Sequence, residues 1–183
     1  MEFFLGITGA SGFIIGKRLL EELSVRGKVH LCITESAFEI AHIEGVNLDF
    51  PPAVSVYKED DFNAPVASGS RRLAACIIAP CSMGAMSRIA CGVSSNLIER
   101  AADIALKEGW KLVLVPRETP LNAIHLENML KLSRTGAVIL PPVLSFYHNP
   151  SSVNDMIDFI VGRVLDVLNL EHSLYKRWRE DEA

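Results

Sequence analysis

The sequence lacks the features that mark membrane-spanning, secreted and nucleic-acid-binding proteins. No apolar run in its 183 residues approaches the roughly 18 residues that a membrane-spanning helix needs. The net charge is −4 and there is no basic tract, which argues against nucleic acid as the main partner. The start, Met1-Glu2-Phe3, has no basic region ahead of an apolar core, so we expect no secretory signal and a cytoplasmic location.

Cysteine is scarce, and its spacing excludes several kinds of site. The four cysteines include no Cys-x-x-Cys pair, and the chain is too long to be a small disulfide scaffold, so we expect free thiols. Cys81 lies between Pro80 and Ser82 at a predicted strand end, where it is either a nucleophile or a packing residue. His125 and His148 share no metal-binding motif, and we expect no metal.

Apolar residues, in contrast, are abundant. They make up 49% of the chain, and the mean hydropathy is +0.25. Without a membrane span, this excess favours a largely buried parallel sheet and contacts between identical subunits. The length suits a single domain over residues 1–183. Its tail, from about residue 170 to residue 183, carries Tyr175 and Trp178, so we expect the tail to dock on the core or on a neighbouring subunit.

A glycine-rich segment near the start organises the chain: Gly6-Ile7-Thr8-Gly9-Ala10-Ser11-Gly12, with Gly16 beyond it. An apolar run at residues 3–5 precedes it, and residues 13–23 follow with apolar side chains at helical spacing. A turn between a strand and a helix brings backbone N–H groups and the positive end of the helix dipole to one place. The segment therefore predicts a bound phosphate, although a tight turn alone also favours glycine.

The spacing of these glycines indicates which nucleotide is bound. It reads Gly9-x-x-Gly12-x-x-x-Gly16, which differs from the dinucleotide fingerprint, and no Tyr-x-x-x-Lys pair of a short-chain dehydrogenase follows. A mononucleotide such as FMN fits this pattern better than NAD. Glu35, near the end of the second predicted strand, either binds a ribose or is a solvated carboxylate at a helix start.

Strands and helices alternate along the chain. Further strands are predicted at residues 29–33, 73–80, 111–115 and 137–140, with a short strand at 54–56 in an exposed loop, and helices at 35–42, 82–90, 95–107, 119–134 and 151–169. Pro80 is expected to stop its strand, and Thr119 and Pro120 to start a helix. Three charged residues are expected to face water: Glu99, Arg100 and Asp103. The alternation predicts a parallel sheet with helices on both faces.

Ligands of such sheets bind beyond the carboxyl ends of the strands, which gathers residues 8–12, 34, 80–82 and 116–118 at one edge. Cations near this edge suggest anion recognition: Arg117 follows a strand, Lys107 closes the preceding helix, and Arg163 lies in the last helix. The alternatives are a structural ion pair between Arg117 and Glu118, and a surface arginine at position 163. Tyr147 either contacts a ligand or packs in the core.

Several motifs, in order and over nearly the whole chain, resemble the UbiX-type flavin prenyltransferases, formerly called phenylacrylic or aromatic-acid decarboxylases. Besides the glycine segment, they are Pro80-Cys81-Ser82-Met83, Arg100-Ala101-Ala102-Asp103, Leu112-Val113-Leu114-Val115-Pro116-Arg117-Glu118-Thr119-Pro120-Leu121, His125-Leu126-Glu127-Asn128-Met129-Leu130, Phe146-Tyr147-His148 and Gly162-Arg163-Val164-Leu165-Asp166.

This resemblance implies a flavodoxin-like, that is Rossmann-like, three-layer α/β fold that binds FMN. It implies transfer of a dimethylallyl group from dimethylallyl phosphate to N5 and C6 of reduced FMN, without a metal. The product, prenylated FMN, would serve UbiD-type decarboxylases. The resemblance further implies a homo-oligomer built from trimers, up to a dodecamer.

The resemblance also implies roles for individual residues. FMN would contact Gly9, Ala10, Ser11, Thr34, Ser82, Met83, Gly84, Ala85 and Arg117. The prenyl phosphate would contact Tyr147 and Arg163, with Trp178 close by and with Lys107 and Glu118 near it. Ser11 and Glu44 match the residues that move the proton, and Glu44 lies in the least distinctive flanking sequence.

The sequence departs from the family at one wall of the FMN site. Members usually carry Ser-Met-Lys-Thr where this chain has Ser82-Met83-Gly84-Ala85, so a charge and a hydroxyl are missing. Asn149 also replaces a commonly basic residue. The departure keeps a second hypothesis open, an FMN carrier or accessory subunit without prenyl transfer. A third, decarboxylation as in the related cysteine-decarboxylase flavoproteins, needs a histidine near the glycine loop, and none lies there.

Overall fold

The computed structural model describes residues 1–179, which divide into two compact units between Pro141 and Pro142. The end of the predicted tail, residues 180–183, lies outside the described residues. The first unit holds the sheet and five helices, and the second holds the last helix and the residues that follow it.

The sheet of the first unit has six strands, β1 (Glu2–Ile7), β2 (Lys28–Ile33), β3 (Val54–Tyr57), β4 (Ala75–Cys81), β5 (Lys111–Pro116) and β6 (Val138–Ile139). Their order is β3-β2-β1-β4-β5-β6, and every neighbouring pair is parallel. The central strands are buried on both faces, which explains their continuous apolar runs. Because all strands run the same way, their carboxyl ends form one edge, the carboxyl edge, and their amino ends form the amino edge.

The helices of the first unit connect these parallel strands: α1 (Phe13–Ser24), α2 (Glu35–Ile43), α3 (Met83–Ala90), α4 (Leu97–Glu108) and α5 (Ala123–Arg134). A side chain on Gly6 would collide with Ile98 of α4, whereas the next residue of β1, Ile7, packs against Gly16 of α1. Successive strand residues point to opposite faces, so α1 and α4 cover the two faces. The predicted α/β class, with a parallel sheet between two helical layers, is confirmed. No helix within residues 1–179 combines the length and the apolar character that crossing a membrane requires.

The prediction that Pro80 stops its strand was wrong, because β4 continues to Cys81. Proline removes one N–H donor, but the carbonyl groups of this segment keep their partners. The carbonyl of Pro80 accepts from Thr8 N at 3.2 Å, and that of Cys81 accepts from Arg117 N at 3.1 Å. The strand therefore extends into the carboxyl edge with only a shift in its pairing to β5.

The predicted start of the helix after β5 was also wrong. The helix begins at Ala123 rather than at Pro120, and its cap is Asn122 instead of Thr119. The Asn122 side chain accepts from His125 N at 2.9 Å, and the His125 ring faces the Asn122 N–H at 3.5 Å. This reciprocal capping box stabilises the later start, and it leaves residues 117–121 as a segment outside any helix.

Glu99, predicted to face water, is fully buried in the first turn of α4. Its carboxylate folds back to accept from Ser95 N at 2.8 Å, Ser95 Oγ at 2.5 Å and Arg88 Nε at 2.5 Å. Burial alone would raise the pKa of Glu99, but these hydrogen bonds outweigh it and hold the pKa below its ordinary value. The other two residues of that prediction, Arg100 and Asp103, form a half-exposed ion pair.

The second unit contains α6 (Val153–Val167), which starts with a capping box between Ser152 and Asp155. The chain beyond the helix folds back onto it, because the Tyr175 ring packs where a side chain on Gly162 would otherwise stand. Tyr175 is only 9% exposed, whereas Trp178 is 67% exposed. The tail up to residue 179 is thus attached to α6 through Tyr175.

Candidate functional site

Four predicted segments meet at the carboxyl edge and are joined by hydrogen bonds between neighbouring strand ends. Thr34 N donates to the carbonyl of Ile7 at 3.0 Å, which links the ends of β2 and β1. The Thr8 hydroxyl donates to the carbonyl of Pro80 at 3.0 Å and accepts from Ser82 N at 2.7 Å, which links β1 to β4. With the bond from Arg117 to β4, these contacts make one continuous row.

The glycine loop follows β1 in this row, and the structure explains why two of its positions require glycine. Gly12 has a φ of 94°, in the left-handed region that favours glycine. A side chain on Gly9 would overlap Ser36 at the start of α2, so the loop packs directly on that helix. Ala10 is buried, whereas the Ser11 side chain is exposed at the tip of the loop. The loop therefore presents Ser11 to a ligand while its backbone is fixed.

Ser11 and Glu44 are in direct contact. The Ser11 hydroxyl donates to Glu44 Oε1 at 2.7 Å, and the same carboxylate accepts from Gly12 N at 2.7 Å and Phe13 N at 2.9 Å. The first N–H groups of α1 are thus satisfied by a carboxylate from the end of α2. A phosphate was expected at this turn, but these donors are occupied within the chain, so a phosphate at this edge has to use other groups.

Two further helices begin at the carboxyl edge. The Thr34 hydroxyl caps α2 by accepting from Ala37 N at 3.2 Å, and the Ser82 hydroxyl caps α3 by accepting from Ala85 N at 3.3 Å. Residues in the first turn of a helix have N–H groups without an intrahelical acceptor. In α3 these are Met83 and Gly84, so the wall of the predicted FMN site offers backbone donors.

Arg117 leaves β5 at this edge with an unsatisfied side chain. Its Nε atom is buried and has no hydrogen-bond partner, and no residue within 1–179 forms an ion pair with it. The alternative of a structural ion pair between Arg117 and Glu118 is therefore not met within the described residues, and Glu118 Oε1 instead accepts from Thr119 N at 3.0 Å. A buried guanidinium donor without a partner is costly unless a ligand completes it. Arg117 is suited to an anionic or carbonyl oxygen of FMN.

Lys107, expected near the same constellation, lies at the opposite edge of the sheet. It is in the last turn of α4, which ends two residues before the start of β5, so it sits at the amino edge. Its Nζ pairs with the adjacent Glu108, and Glu108 packs against Gly69 in the loop before β4. Lys107 is therefore not part of the strand-end site of its own chain, because a helix between parallel strands returns to the amino edge, and a role near the prenyl phosphate requires Lys107 from another copy of the chain.

Cys81 and a neighbouring cleft complete the description of this edge. Burial raises the pKa of Cys81 to about 12, so the thiol stays protonated and packs in the core rather than acting as a nucleophile.

A cleft of about 640 Å³ opens beside the ends of β2 and β3. Its lining includes three carboxylates and one cation, Glu35, Glu59, Asp60 and Lys58, and this acidic excess does not favour a phosphate.

In the second unit, Arg163 is held by a partly buried carboxylate, Asp166, whose role the sequence analysis missed. Asp166 accepts from Arg163 at 2.9 Å and from the Tyr175 hydroxyl at 2.5 Å, and it also binds His172 and Arg177. Burial alone would raise the pKa of Asp166, but the hydrogen bonds lower it to about 2. The spacing of three between Arg163 and Asp166 on a helix was the available signal. The arginine is therefore positioned and not a freely moving surface cation.

Aromatic rings surround the other predicted donor-site residues of this unit. Tyr147 is 40% exposed, so it is not a core residue, and it meets the edge of Trp178 at a centroid distance of 5.4 Å. His148 stacks on Phe159 at 5.1 Å, and both of its ring nitrogens are buried without a partner. The unit thus combines a fixed cation with exposed aromatic rings and an unsatisfied imidazole.

Comparison with known proteins also indicates a flavin-binding protein. A model of the flavoprotein family matches residues 1–165. A flavin prenyltransferase UbiX of Methanocaldococcus jannaschii is 52% identical over 182 residues, which cover 97% of this chain and 98% of that protein. The UbiX of Pseudomonas aeruginosa is 45% identical and covers 96% of this chain and 93% of its own length.

Solved structures are similarly close. One, described as a dodecameric FMN-dependent UbiX-like decarboxylase from Escherichia coli O157:H7, superposes with a TM-score of 0.91 at 40% identity, covering 98% of this chain and all of that chain. AnUbiX in complex with FMN and dimethylallyl pyrophosphate has a TM-score of 0.90 at 40% identity, with 97% of both chains covered. A PPC decarboxylase variant, at 19% identity and a TM-score of 0.67, shares the fold.

Proposed function

The chain belongs to the UbiX family of flavin prenyltransferases, and from this premise we propose how its residues carry out the reaction. It transfers a dimethylallyl group from dimethylallyl phosphate to N5 and C6 of reduced FMN. FMN, when bound, supplies the two ring atoms that are alkylated. The chain supplies the binding groups, the acid and base, and the stabilisation of the leaving phosphate.

The observation that carries this proposal is the hydrogen bond of 2.7 Å between the Ser11 hydroxyl and the Glu44 carboxylate. Forming the second carbon bond requires removal of a proton from the flavin ring. A carboxylate is a suitable base, and a hydroxyl bonded to it can relay the proton. The backbone donors of Gly12 and Phe13 hold the carboxylate in place on the glycine loop, so the pair is preorganised.

FMN binding rests on the other groups of the carboxyl edge. Gly9 and Ala10 belong to the glycine loop that FMN contacts, and Thr34 and Ser82 add hydroxyls at two helix starts. Met83, Gly84 and Ala85 form the wall of the site through the first turn of α3. The unpartnered Nε of Arg117 supplies a positively charged hydrogen-bond donor for FMN. Glu118, the next residue, lies near the phosphate of dimethylallyl phosphate.

Arg163 and Tyr147 bind the phosphate of the donor. As the bond between carbon and oxygen breaks, negative charge grows on that phosphate, and a positioned guanidinium stabilises it. Arg163 is suited to this role because Asp166 and Tyr175 hold its side chain. The rings of Tyr147 and Trp178 provide electron-rich surfaces for the positive charge that develops on the allylic group.

Three wider features belong to the same proposal. The enzyme works as a homo-oligomer, which is supported by exposed apolar side chains on α5, among them Ile124, Leu126 and Leu130, and by the dodecameric relative. It acts in the cytoplasm and passes prenylated FMN to a UbiD-type decarboxylase. The FMN carrier hypothesis is not favoured, because close relatives over nearly the full length are named prenyltransferases.

The test is direct. Purified protein is incubated with FMN, a reductant and dimethylallyl phosphate, and the extracted flavin is analysed by mass spectrometry. We expect a flavin heavier by one dimethylallyl unit, and none when the donor or the protein is omitted. Recovery of only unaltered FMN, from protein shown to bind FMN, would contradict the proposed function and revive the carrier hypothesis.

A further inference from the structure

Gly84 leaves the wall of the proposed FMN site without a side chain, and the Arg88 guanidinium occupies the space next to it. Arg88 lies one helical turn after Gly84 in α3, on the same side of the helix. Its Nη1 atom is 3.4 Å from the position that a Cβ on Gly84 would take. The cation therefore stands over the exposed first turn of α3, at the carboxyl edge.

Arg88 is held there by an anchor that is unusually rigid. Glu99 is fully buried and accepts from four donors, namely Arg88 Nε at 2.5 Å, Ser95 N, Ser95 Oγ and Asn96 Nδ2. A long arginine side chain on a surface helix ordinarily samples many rotamers. Fixing Arg88 to a buried carboxylate removes that freedom, as expected for a side chain that has to present its head group at a defined point.

The contact to Glu99 uses only one edge of the guanidinium. Glu99 bonds to Nε, and no residue within 1–179 accepts a hydrogen bond from the Nη groups of Arg88. The side chain remains 46% exposed. If Arg88 served only to neutralise Glu99, its guanidinium would be expected to form two parallel hydrogen bonds to the carboxylate. One of the remaining donors, Nη1, instead lies beside Gly84.

We propose that Arg88 is a flavin-binding residue and that Glu99 is its positioning residue. The Nη groups donate to a negatively charged or carbonyl oxygen of FMN above Gly84, so the chain retains a cation at this wall. The inference rests on the proposed function, because it takes the first turn of α3 as part of the FMN site. The oxygen belongs either to the phosphate or to the pyrimidine edge of the flavin ring, and riboflavin, which lacks the phosphate, distinguishes the two.

The experiment measures FMN and riboflavin affinity together with the melting temperature of the full chain. Arg88→Lys keeps a cation for Glu99 but loses the fork, and it should weaken FMN binding about tenfold or more at an almost unchanged melting temperature. The double variant Arg88→Ala with Glu99→Gln removes the charges of both members of the ion pair. It should weaken FMN binding by about the same factor as Arg88→Lys. Weaker binding of FMN alone assigns the phosphate, and equal weakening of riboflavin binding assigns the ring.

Two further variants make the result specific. Adding Gly84→Lys to Arg88→Lys should restore FMN affinity, because the new lysine places a cation at the same wall. A side chain at position 84 meets only ordinary contact distances, so the contact with Glu99 should not change. Arg72→Ala removes an equally exposed arginine near the amino edge and should leave FMN affinity unchanged.

The inference is overturned if both the Arg88→Lys protein and the double variant bind FMN as tightly as the parent, which is what a purely structural pair predicts. Lack of FMN binding by the parent would overturn both this inference and the proposed function. FMN that is bound with Arg88 dependence but is never alkylated would contradict the proposed function alone.

Discussion

The two edges of the parallel sheet treat polar side chains in opposite ways. Near the amino edge, Glu2 accepts from Arg71 at 2.8 Å through each of its oxygens and also contacts the ring of His30 at 3.0 Å. The other ring nitrogen of His30 is 3.0 Å from the hydroxyl of Tyr57, so the contacts extend from the amino edge to the last residue of β3. We call these four residues the Glu2 cluster. Each of them has its partner within the cluster.

At the carboxyl edge, two arginines keep side-chain donors without a partner among residues 1–179. The Nε of Arg117 is buried and unbonded, and Arg88 uses only one edge of its guanidinium. Ser11 and Glu44 bond to each other, and the Ser11 side chain is exposed at the tip of the glycine loop. Groups that only stabilise the fold satisfy one another, whereas groups that bind a ligand keep capacity for it. The difference between the edges therefore indicates which one carries the function.

The largest expected effect comes from removing the base. Glu44→Gln keeps the size of the side chain but loses the carboxylate, and we expect the alkylation rate at saturating FMN to fall about 100-fold or more. Single-turnover formation of the alkylated flavin measures this rate. Glu39→Gln, on the exposed side of the same helix, serves as the matched control and should retain the parent rate. If the Glu44→Gln protein alkylates FMN at a rate close to that of the parent, Glu44 is not the base.

The next effect concerns the unsatisfied cation. Arg117→Met should weaken FMN binding by about tenfold to a hundredfold, because a charge-assisted hydrogen bond is lost. The melting temperature without FMN should not fall, since the Nε has no partner within the described chain to lose. Titration by flavin fluorescence and thermal unfolding measure the two quantities. Unchanged FMN affinity, or a large loss of stability, would show that Arg117 has a structural role.

The Glu2 cluster should respond in the reverse manner. Hydrogen bonds from Arg71, and then from His30, lower the pKa of Glu2 from 4.5 to about 2. A carboxyl group with a lowered pKa in the folded state adds stability above its unfolded pKa, and this contribution is lost as the pH falls from 4.5 towards 2.

Glu2→Gln should therefore reduce the free energy of unfolding by about 1 kcal/mol at neutral pH, a value discounted for partial exposure, and flatten its decline in acid. Urea unfolding at neutral pH and at about pH 3 tests this linkage. FMN affinity should stay the same. An acid decline equally steep in the variant would contradict the role of Glu2.

The smallest effect is expected for Lys107→Ala. This residue forms an exposed pair with Glu108 at the amino edge, and exposed pairs contribute about 0–1 kcal/mol. FMN affinity and the alkylation rate should remain within about twofold of the parent, because such a pair contributes little. A large loss of rate with intact FMN binding would show that Lys107 reaches a site after all, from another copy of the chain.

Much of this architecture follows from local patterns in the sequence. The strand, glycine loop and helix over residues 2–24 are predictable because a buried parallel strand is continuously apolar and a left-handed turn favours glycine. The row of strand ends at the carboxyl edge follows from the parallel topology alone. The contact between Ser11 and Glu44 was expected only from the family resemblance, since 33 residues separate the pair.

The differences between prediction and structure have identifiable physical causes. Glu99 reads as a surface residue, and its burial depends on Arg88 from another helix. Thr119 and Asn122 are both good caps, and the reciprocal contact with His125 decides between them. Lys107 lies shortly before β5 in the sequence and Arg117 directly after it, but the helix direction places Lys107 at the other edge of the sheet.

The most direct test of the account is a crystal structure of the protein with FMN. We predict FMN at the carboxyl edge, over Gly9 and Ser11, with an FMN oxygen within hydrogen-bond distance of the Arg117 guanidinium. FMN bound elsewhere on the chain, or FMN at this edge with the Arg117 Nε still unbonded, would contradict the claim that unsatisfied side chains mark the site.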